Sequence, residues 1–162
     1  MIKKTAASSI EFSFSEPPRI AIVVSRFNET VTEGLYKGAL KWLSEHGLPF
    51  NSEDRYNVPG AFEMPLIAQQ LAKTGQYDGV VCLGCVIKGD TAHFEYISLG
   101  ATIGLVNASL TTEIPITFGI LTTYTAEQAA VRSQEDQENK GREAVGACIE
   151  SLALLEKINQ LS

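Results

Sequence analysis

Positive charge is scarce in this 162-residue sequence. Thirteen Lys plus Arg stand against 19 Asp plus Glu, for a net charge of −6, and no Lys or Arg occurs from Gly89 to Val131. A nucleic-acid surface needs a continuous cationic stripe, so nucleic acid is excluded as a partner and only one or two small phosphate groups remain in play. Cysteine is also rare: Cys82, Cys85 and Cys148 are an odd number in a chain large enough to do without disulfides, which points to reduced thiols in a cytoplasmic protein. Cys82 and Cys85 have C-x-x-C spacing inside an apolar run, where strand alternation sends residues three apart to opposite faces. No second such pair completes a zinc set. Only two histidines are present, so neither a nucleophile triad nor a metal cluster can be assembled, and no cofactor is expected.

Long apolar runs are absent as well. Met1 to Ser15 carries Lys3 and Lys4, then Ser8, Ser9, Glu11 and Ser13, with no apolar core of signal-peptide length. Tyr96 to Thr112 has no charge, yet Ser98, Gly100, Thr102, Gly104, Asn107, Ser109, Thr111 and Thr112 make it too polar for a membrane span. A buried amphipathic helix is expected there, and no membrane partner.

What remains is a folded domain, with 44% apolar and 20% charged residues. A chain of this length buries roughly 70% of its unfolded surface. Residues 1–18, ending at Pro17-Pro18, read as an arm, and residues 19–162 as one domain. Arg19 to Ser25 is a β-branched run suited to a strand covered on both faces. Thr30-Val31-Thr32-Glu33 has capping-box spacing and opens a helix that runs to His46-Gly47. A weaker strand lies near Arg55 to Val58, and a helix through Met64, Ile67, Ala68 and Leu71 ends at Gly75. Strands follow at Asp78 to Ile87 and Pro115 to Thr122, with helices from about Thr91, from Ala126 and near Asn139. This alternation predicts a three-layer α/β/α sandwich: a four-stranded parallel sheet with helices on both faces.

Ligands of such sheets bind beyond the carboxyl ends of the strands, where four loops converge. The first, Ser25 to Glu29, holds Phe27, an aromatic that must either pack under a helix, as aromatics more often do, or stand over a ligand. It lacks the Ser/Thr/Gly pattern of an FMN-phosphate loop and the paired Asp of a receiver domain. In the second, Pro59 to Glu63, exposed N–H groups lie near Glu63, which either complements a helix dipole or meets a polyol or uracil-like ring. In the third, Gly84 to His93, Asp90 stands where a P-loop needs Lys, but Gly89 and Thr91 at a helix start can hold one phosphate. His46 at a helix end is explained by the dipole. His93 sits at the ligand end of the sheet and is a candidate proton carrier.

Five blocks, Ser25 to Asn28, Val58 to Glu63, Gly84 to His93, Phe118 to Thr123 and Asn139-Lys140-Gly141, together resemble the lumazine synthase family in order and spacing, from about Arg19 to Leu155. The resemblance implies a flavodoxin-like fold. It also implies condensation of 5-amino-6-(D-ribitylamino)uracil with 3,4-dihydroxy-2-butanone 4-phosphate to 6,7-dimethyl-8-ribityllumazine, phosphate and water, the penultimate step of riboflavin biosynthesis. No metal or organic cofactor takes part.

By the same resemblance, Phe27 stacks on the pyrimidine, and Asn28 with Ala61, Phe62 and Glu63 meets the ribityl chain. Cys85 is a wall residue, and Val86 and Ile87 offer backbone bonds. Gly89, Asp90 and Thr91 with Arg132 receive the phosphate, and His93 is the acid and base. Phe118, Arg132 and Lys140 reach in from an adjacent subunit, so the partners implied are the small-molecule substrates, further copies of the chain and, by extension, riboflavin synthase. The turn from Ser133 to Glu138 departs from the Gly- and Lys-containing turn of shell-forming members, and its three acids would repel around a symmetry axis. A homopentamer is therefore expected in place of a sixty-subunit shell. Tyr124 also departs, standing where an acidic residue is common.

Overall fold

The computed structural model describes residues 12–162. Four β-branched or apolar runs form strands: β1 (Ile20–Ser25), β2 (Arg55–Val58), β3 (Gly79–Ile87) and β4 (Ile116–Thr123). They pair in parallel in the order β2-β1-β3-β4. Parallel neighbours need long crossovers, and α1 (Glu29–Glu45), α2 (Met64–Lys73) and α3 (His93–Thr112) supply them; α4 (Ala126–Arg132) and α5 (Lys140–Asn159) complete the chain. The expected three-layer, flavodoxin-like architecture is the observed one.

The sheet divides two cores. Val23, Val80 and Cys82 face Met64, Ala68 and Leu105 on one side, while Ile22, Leu83 and Cys85 face Leu35, Leu43, Val145 and Ile149 on the other. Each Val, Leu, Ile or Met among them, fully buried, contributes about 1.5–3 kcal/mol relative to exposure. Cys82 and Cys85 thus lie on opposite faces, as strand alternation requires. All three thiols are free and buried, and burial pushes them up, to about 11 for Cys85 and about 12 for Cys148. They stay protonated at neutral pH.

Close packing fixes the start of α5. A Cβ on Gly38 of α1 would lie 2.1 Å from the Asn139 side-chain oxygen. Asn139, fully buried, accepts from the N–H groups of Gly141 (2.8 Å) and Arg142 (3.4 Å) and donates to the carbonyls of Gly34 (3.0 Å) and Gln134 (2.8 Å). One amide side chain therefore caps the helix and ties the preceding turn to α1.

Three expectations are corrected here. α1 begins at Glu29, capped by Asn28 in a left-handed conformation, and not at a Thr30 capping box. The Thr32 hydroxyl is engaged by donating to the Ser25 carbonyl at 2.8 Å, and Glu33 by an ion pair with Arg55. α3 begins at His93, two residues after Thr91. Nor is α3 buried all round: Ala101, Leu105 and Ala108 face the sheet, while Tyr96, Leu99, Ile103, Val106 and Leu110 are exposed. Among the described residues, nothing covers this uncharged face.

His46 has the structural role expected of it. Its Nδ1 lies 2.7 Å from the Trp42 carbonyl and its ring stacks on Trp42 at 3.8 Å. Phe12 packs on Trp42 at 5.9 Å, in a segment without regular structure; the rest of the predicted arm, residues 1–11, lies outside the described residues. Among the described residues, no helix is long and apolar enough to cross a membrane.

Candidate active site

β3 outruns β1. The β1–β3 register ends at Val24 opposite Leu83, whereas β3 stays paired with β4 up to Ile87 opposite Thr123. The β1-facing edge of Cys85, Val86 and Ile87 therefore has no strand partner and opens toward the loop after β1. That loop is held by three hydrogen bonds. The N–H groups of Arg26 and Phe27 donate to the carbonyls of Val58 (2.8 Å) and Pro59 (3.1 Å), and the Asn28 side-chain amide donates to the Cys85 carbonyl (2.9 Å).

Asn28 has φ 59°, a conformation that Asn tolerates better than most residues. With the backbone continuing its ladder to Pro59 and then turning left-handed, the Phe27 ring is left 73% exposed. Of the two places open to it, the ring does not take the core.

On the second loop, Ala61–Glu63 forms a 3-10 turn ahead of α2, with Ala61 buried and Phe62 and Glu63 exposed. The Glu63 carboxylate accepts from the Gly60 N–H at 2.9 Å, which leaves its other oxygen for a ligand. On the third loop, Gly89, Asp90 and Thr91 are exposed and precede the helix; the Thr91 hydroxyl accepts from the His93 N–H at 3.4 Å. His93 is the exposed first residue of α3. Phe27, Asn28, Glu63, Val86, Ile87 and the run from Gly89 to His93 thus gather at one end of the sheet.

Phe118 is elsewhere. It pairs with Cys82, five positions before the Ile87–Thr123 pair, or about 16 Å down the strand. It lines a groove of about 590 Å³ along the outer edge of β4, together with Thr122, Arg132, Lys140, Ala144 and Ala147. Arg132 donates to the Gln128 carbonyl at 2.8 Å, and Lys140 lies 2.7 Å from the Glu143 carboxylate. β4 is the edge strand of the described sheet, so its outer N–H and C=O groups face this groove.

The chain matches the family model described as 6,7-dimethyl-8-ribityllumazine synthase over residues 17–156. Among curated relatives, 6,7-dimethyl-8-ribityllumazine synthase 1 of Caulobacter vibrioides is 62% identical over 144 residues, covering 89% of this chain and 94% of the relative. The Salinibacter ruber synthase is 50% identical, covering 86% and 90%, and that of Deinococcus radiodurans 46%, covering 88% and 92%. The chain belongs to the lumazine synthase family. It is an enzyme, and as a lumazine synthase it takes small-molecule substrates and assembles with copies of itself. The exposed apolar face of α3 and the open edge of β4 are surfaces of the kind such assembly covers.

Sequence reasoning missed one group at this site. The Lys88 ammonium lies 3.4 Å from the Glu95 carboxylate and 5.6 Å from the centroid of the Tyr124 ring, which itself lies 6.1 Å from Phe94. Lys88 and Tyr124 are far apart in the chain, so no local spacing signals their contact. The parallel pairing of β3 with β4 is what brings them together.

Proposed function

We propose that this lumazine synthase condenses 5-amino-6-(D-ribitylamino)uracil with 3,4-dihydroxy-2-butanone 4-phosphate at sites shared between neighbouring copies. One half is the carboxyl end of the sheet: Phe27 stacks on the pyrimidine, and Val86 and Ile87 offer it backbone bonds. Asn28 and Ala61 to Glu63 flank the ribityl chain, with Cys85 as wall. Gly89, Asp90 and Thr91 receive the phosphate. The other half is the β4 groove of an adjacent copy, with Phe118, Arg132 and Lys140. The observation that carries this reading is the place of Phe118, about 16 Å down β4 from the strand ends and so out of reach of the site at the end of its own sheet.

The amine nitrogen attacks the ketone carbon and water leaves to give an imine. Proton loss then expels phosphate as the C–O bond breaks, and after tautomerisation the ribityl-bearing nitrogen closes the ring on the remaining carbonyl with loss of water. No step changes the overall oxidation level, so proton transfer and positioning suffice without a cofactor. His93, exposed at the start of α3 beside the phosphate loop, carries those protons, an effect of roughly 10²- to 10⁴-fold. Holding both reactants together supplies much of the remainder.

Residues 19–162 act as the domain and 1–18 as its arm. The assembly is an isolated homopentamer: Glu135, Asp136 and Glu138 share one turn, where, among the described residues, only Glu135 approaches a cation, Lys41 at 3.5 Å. Light scattering is expected to give the mass of five subunits, and a particle near a megadalton would contradict it. The setting is cytoplasmic, with riboflavin synthase as a further partner and neither nucleic acid nor membrane. To test the activity, purified protein is mixed with both substrates under nitrogen, and the absorbance and fluorescence of the lumazine are followed against the uncatalysed reaction. Acceleration is expected. Binding of the ribityl compound without acceleration would make the protein a carrier.

A further inference from the structure

We propose that Lys88 and Tyr124 are positioning residues that hold the first turn of α3, and with it His93, in the reactive orientation; this rests on the reading of His93 as proton carrier. The start of α3 is poorly capped. Its N-cap residue is Ala92, whose side chain accepts nothing, and the nearest hydroxyl, on Thr91, receives the His93 N–H at a long 3.4 Å. A helix start whose free N–H groups lack good acceptors frays unless it is held from the side.

The holding groups are rooted in the sheet. The Lys88 N–H donates to the Thr123 carbonyl at 2.9 Å, continuing the β3–β4 ladder by one residue. The Tyr124 N–H donates to the Gln128 side chain at 2.9 Å, which fixes that residue to the start of α4. From these anchors the Lys88 ammonium reaches Glu95 at 3.4 Å and the Tyr124 ring at 5.6 Å, and the ring meets Phe94 at 6.1 Å. Phe94 and Glu95 are the second and third residues of α3, and His93 is the first. The three contacts close a clasp across the ends of β3 and β4 and the first turn of α3, which His93 opens. All of it is at the surface, where an ion pair adds little to global stability. Its consequence is local order of one helical turn.

The test is a double-mutant cycle on the full-length assembled protein, read as single-turnover rate per active site, with sites titrated by the fluorescence of bound product. Tyr124→Ala is expected to lower the rate by about tenfold, the scale of a slight misplacement of a catalytic group, while leaving the KM for the uracil substrate within about twofold. Tyr124→Phe keeps the ring and is expected to restore the rate. Lys88→Met provides the same reading should Tyr124→Ala fail to assemble. In a His93→Ala background, the further change to Tyr124→Ala is expected to have no effect.

A tenfold loss that persists without the imidazole would overturn the clasp, as would a Tyr124→Phe variant as slow as Tyr124→Ala, or a Tyr124→Ala variant as fast as the unaltered enzyme. If His93→Ala alone leaves the rate unchanged, the role of His93 fails first and takes this proposal with it.

Discussion

The side-chain amide of Asn28 donates a hydrogen bond to the carbonyl of Cys85 at 2.9 Å, tying the loop that carries Phe27 to the end of β3. The same residue holds φ at 59°, so it serves both as tether and as left-handed turn. The two roles are separable. Asn28→Ala loses the hydrogen bond, worth about 1 kcal/mol, and incurs a left-handed penalty of about 1–2 kcal/mol. Asn28→Gly loses only the bond. Urea denaturation is expected to rank Gly above Ala, and both are expected to raise the KM for the uracil substrate because the Phe27 loop loses its tie to β3 while keeping its backbone bonds to Val58 and Pro59. Unchanged KM values in both would show that the tether does not matter to binding.

His93→Ala and Arg132→Ala separate chemistry from phosphate binding. The first is expected to slow turnover by roughly 10²-fold or more without abolishing it, since positioning remains. The second removes a cation from the β4 groove and is expected to raise the KM for the butanone phosphate far more than that for the uracil. Steady-state kinetics with each substrate varied in turn makes the comparison, and equal effects on both KM values would remove Arg132 from the phosphate site.

Gly38 is required by space and not by backbone conformation. A methyl group there meets the Asn139 side chain at 2.1 Å, and Asn139 is the buried cap of α5. Gly38→Ala is expected to cost about 3 kcal/mol, the upper end for overpacking. Because α5 begins with Lys140, the variant is also expected to lose activity beyond its loss of folded protein. A urea midpoint equal to that of the unaltered enzyme would contradict the packing argument.

At the amino end of β1 the Arg19 guanidinium donates two hydrogen bonds to the Asp54 carboxylate, at 2.7 and 3.0 Å, and holds it below its ordinary value; the Tyr77 hydroxyl adds a third at 2.9 Å. A carboxylate lowered in the folded state contributes stability that is complete above the unfolded value of about 3.9 and is lost as the pH falls through the folded value. Asp54→Asn is therefore expected to lower the urea midpoint at pH 7, with the gap narrowing below about pH 4. Parallel curves across that range would exclude Asp54 from the acid limb.

The architecture was legible because each core strand is a short β-branched run and each crossover helix repeats at helical spacing, as in Ile20 to Val24 followed by Leu35, Ala39 and Leu43. The position of the site followed from the parallel sheet, whose strand ends converge. The exposed face of α3 was not legible: Leu99, Ile103 and Val106 have the composition of a core face, yet among the described residues nothing covers them. Between core and exposure Phe27 stayed undecided for a related reason, since an aromatic in either place looks alike in sequence. Thr30 to Glu33 matched a capping box, but Thr32 and Glu33 are claimed by Ser25 and Arg55, contacts that local spacing does not register. The assignment of Phe118, Arg132 and Lys140 to a neighbour's site came from the family resemblance alone; no spacing in the sequence signals that the three line one groove along β4.

Co-expression of the His93→Ala and Arg132→Ala chains tests the shared site most directly. In randomly mixed rings, roughly a quarter of the interfaces pair an intact His93 from one copy with an intact Arg132 from the next. Product formation at low butanone phosphate is therefore expected to exceed the mean of the two parent variants by about a quarter of the unaltered activity. Activity equal to that mean would place both residues in a single chain's site and contradict the account.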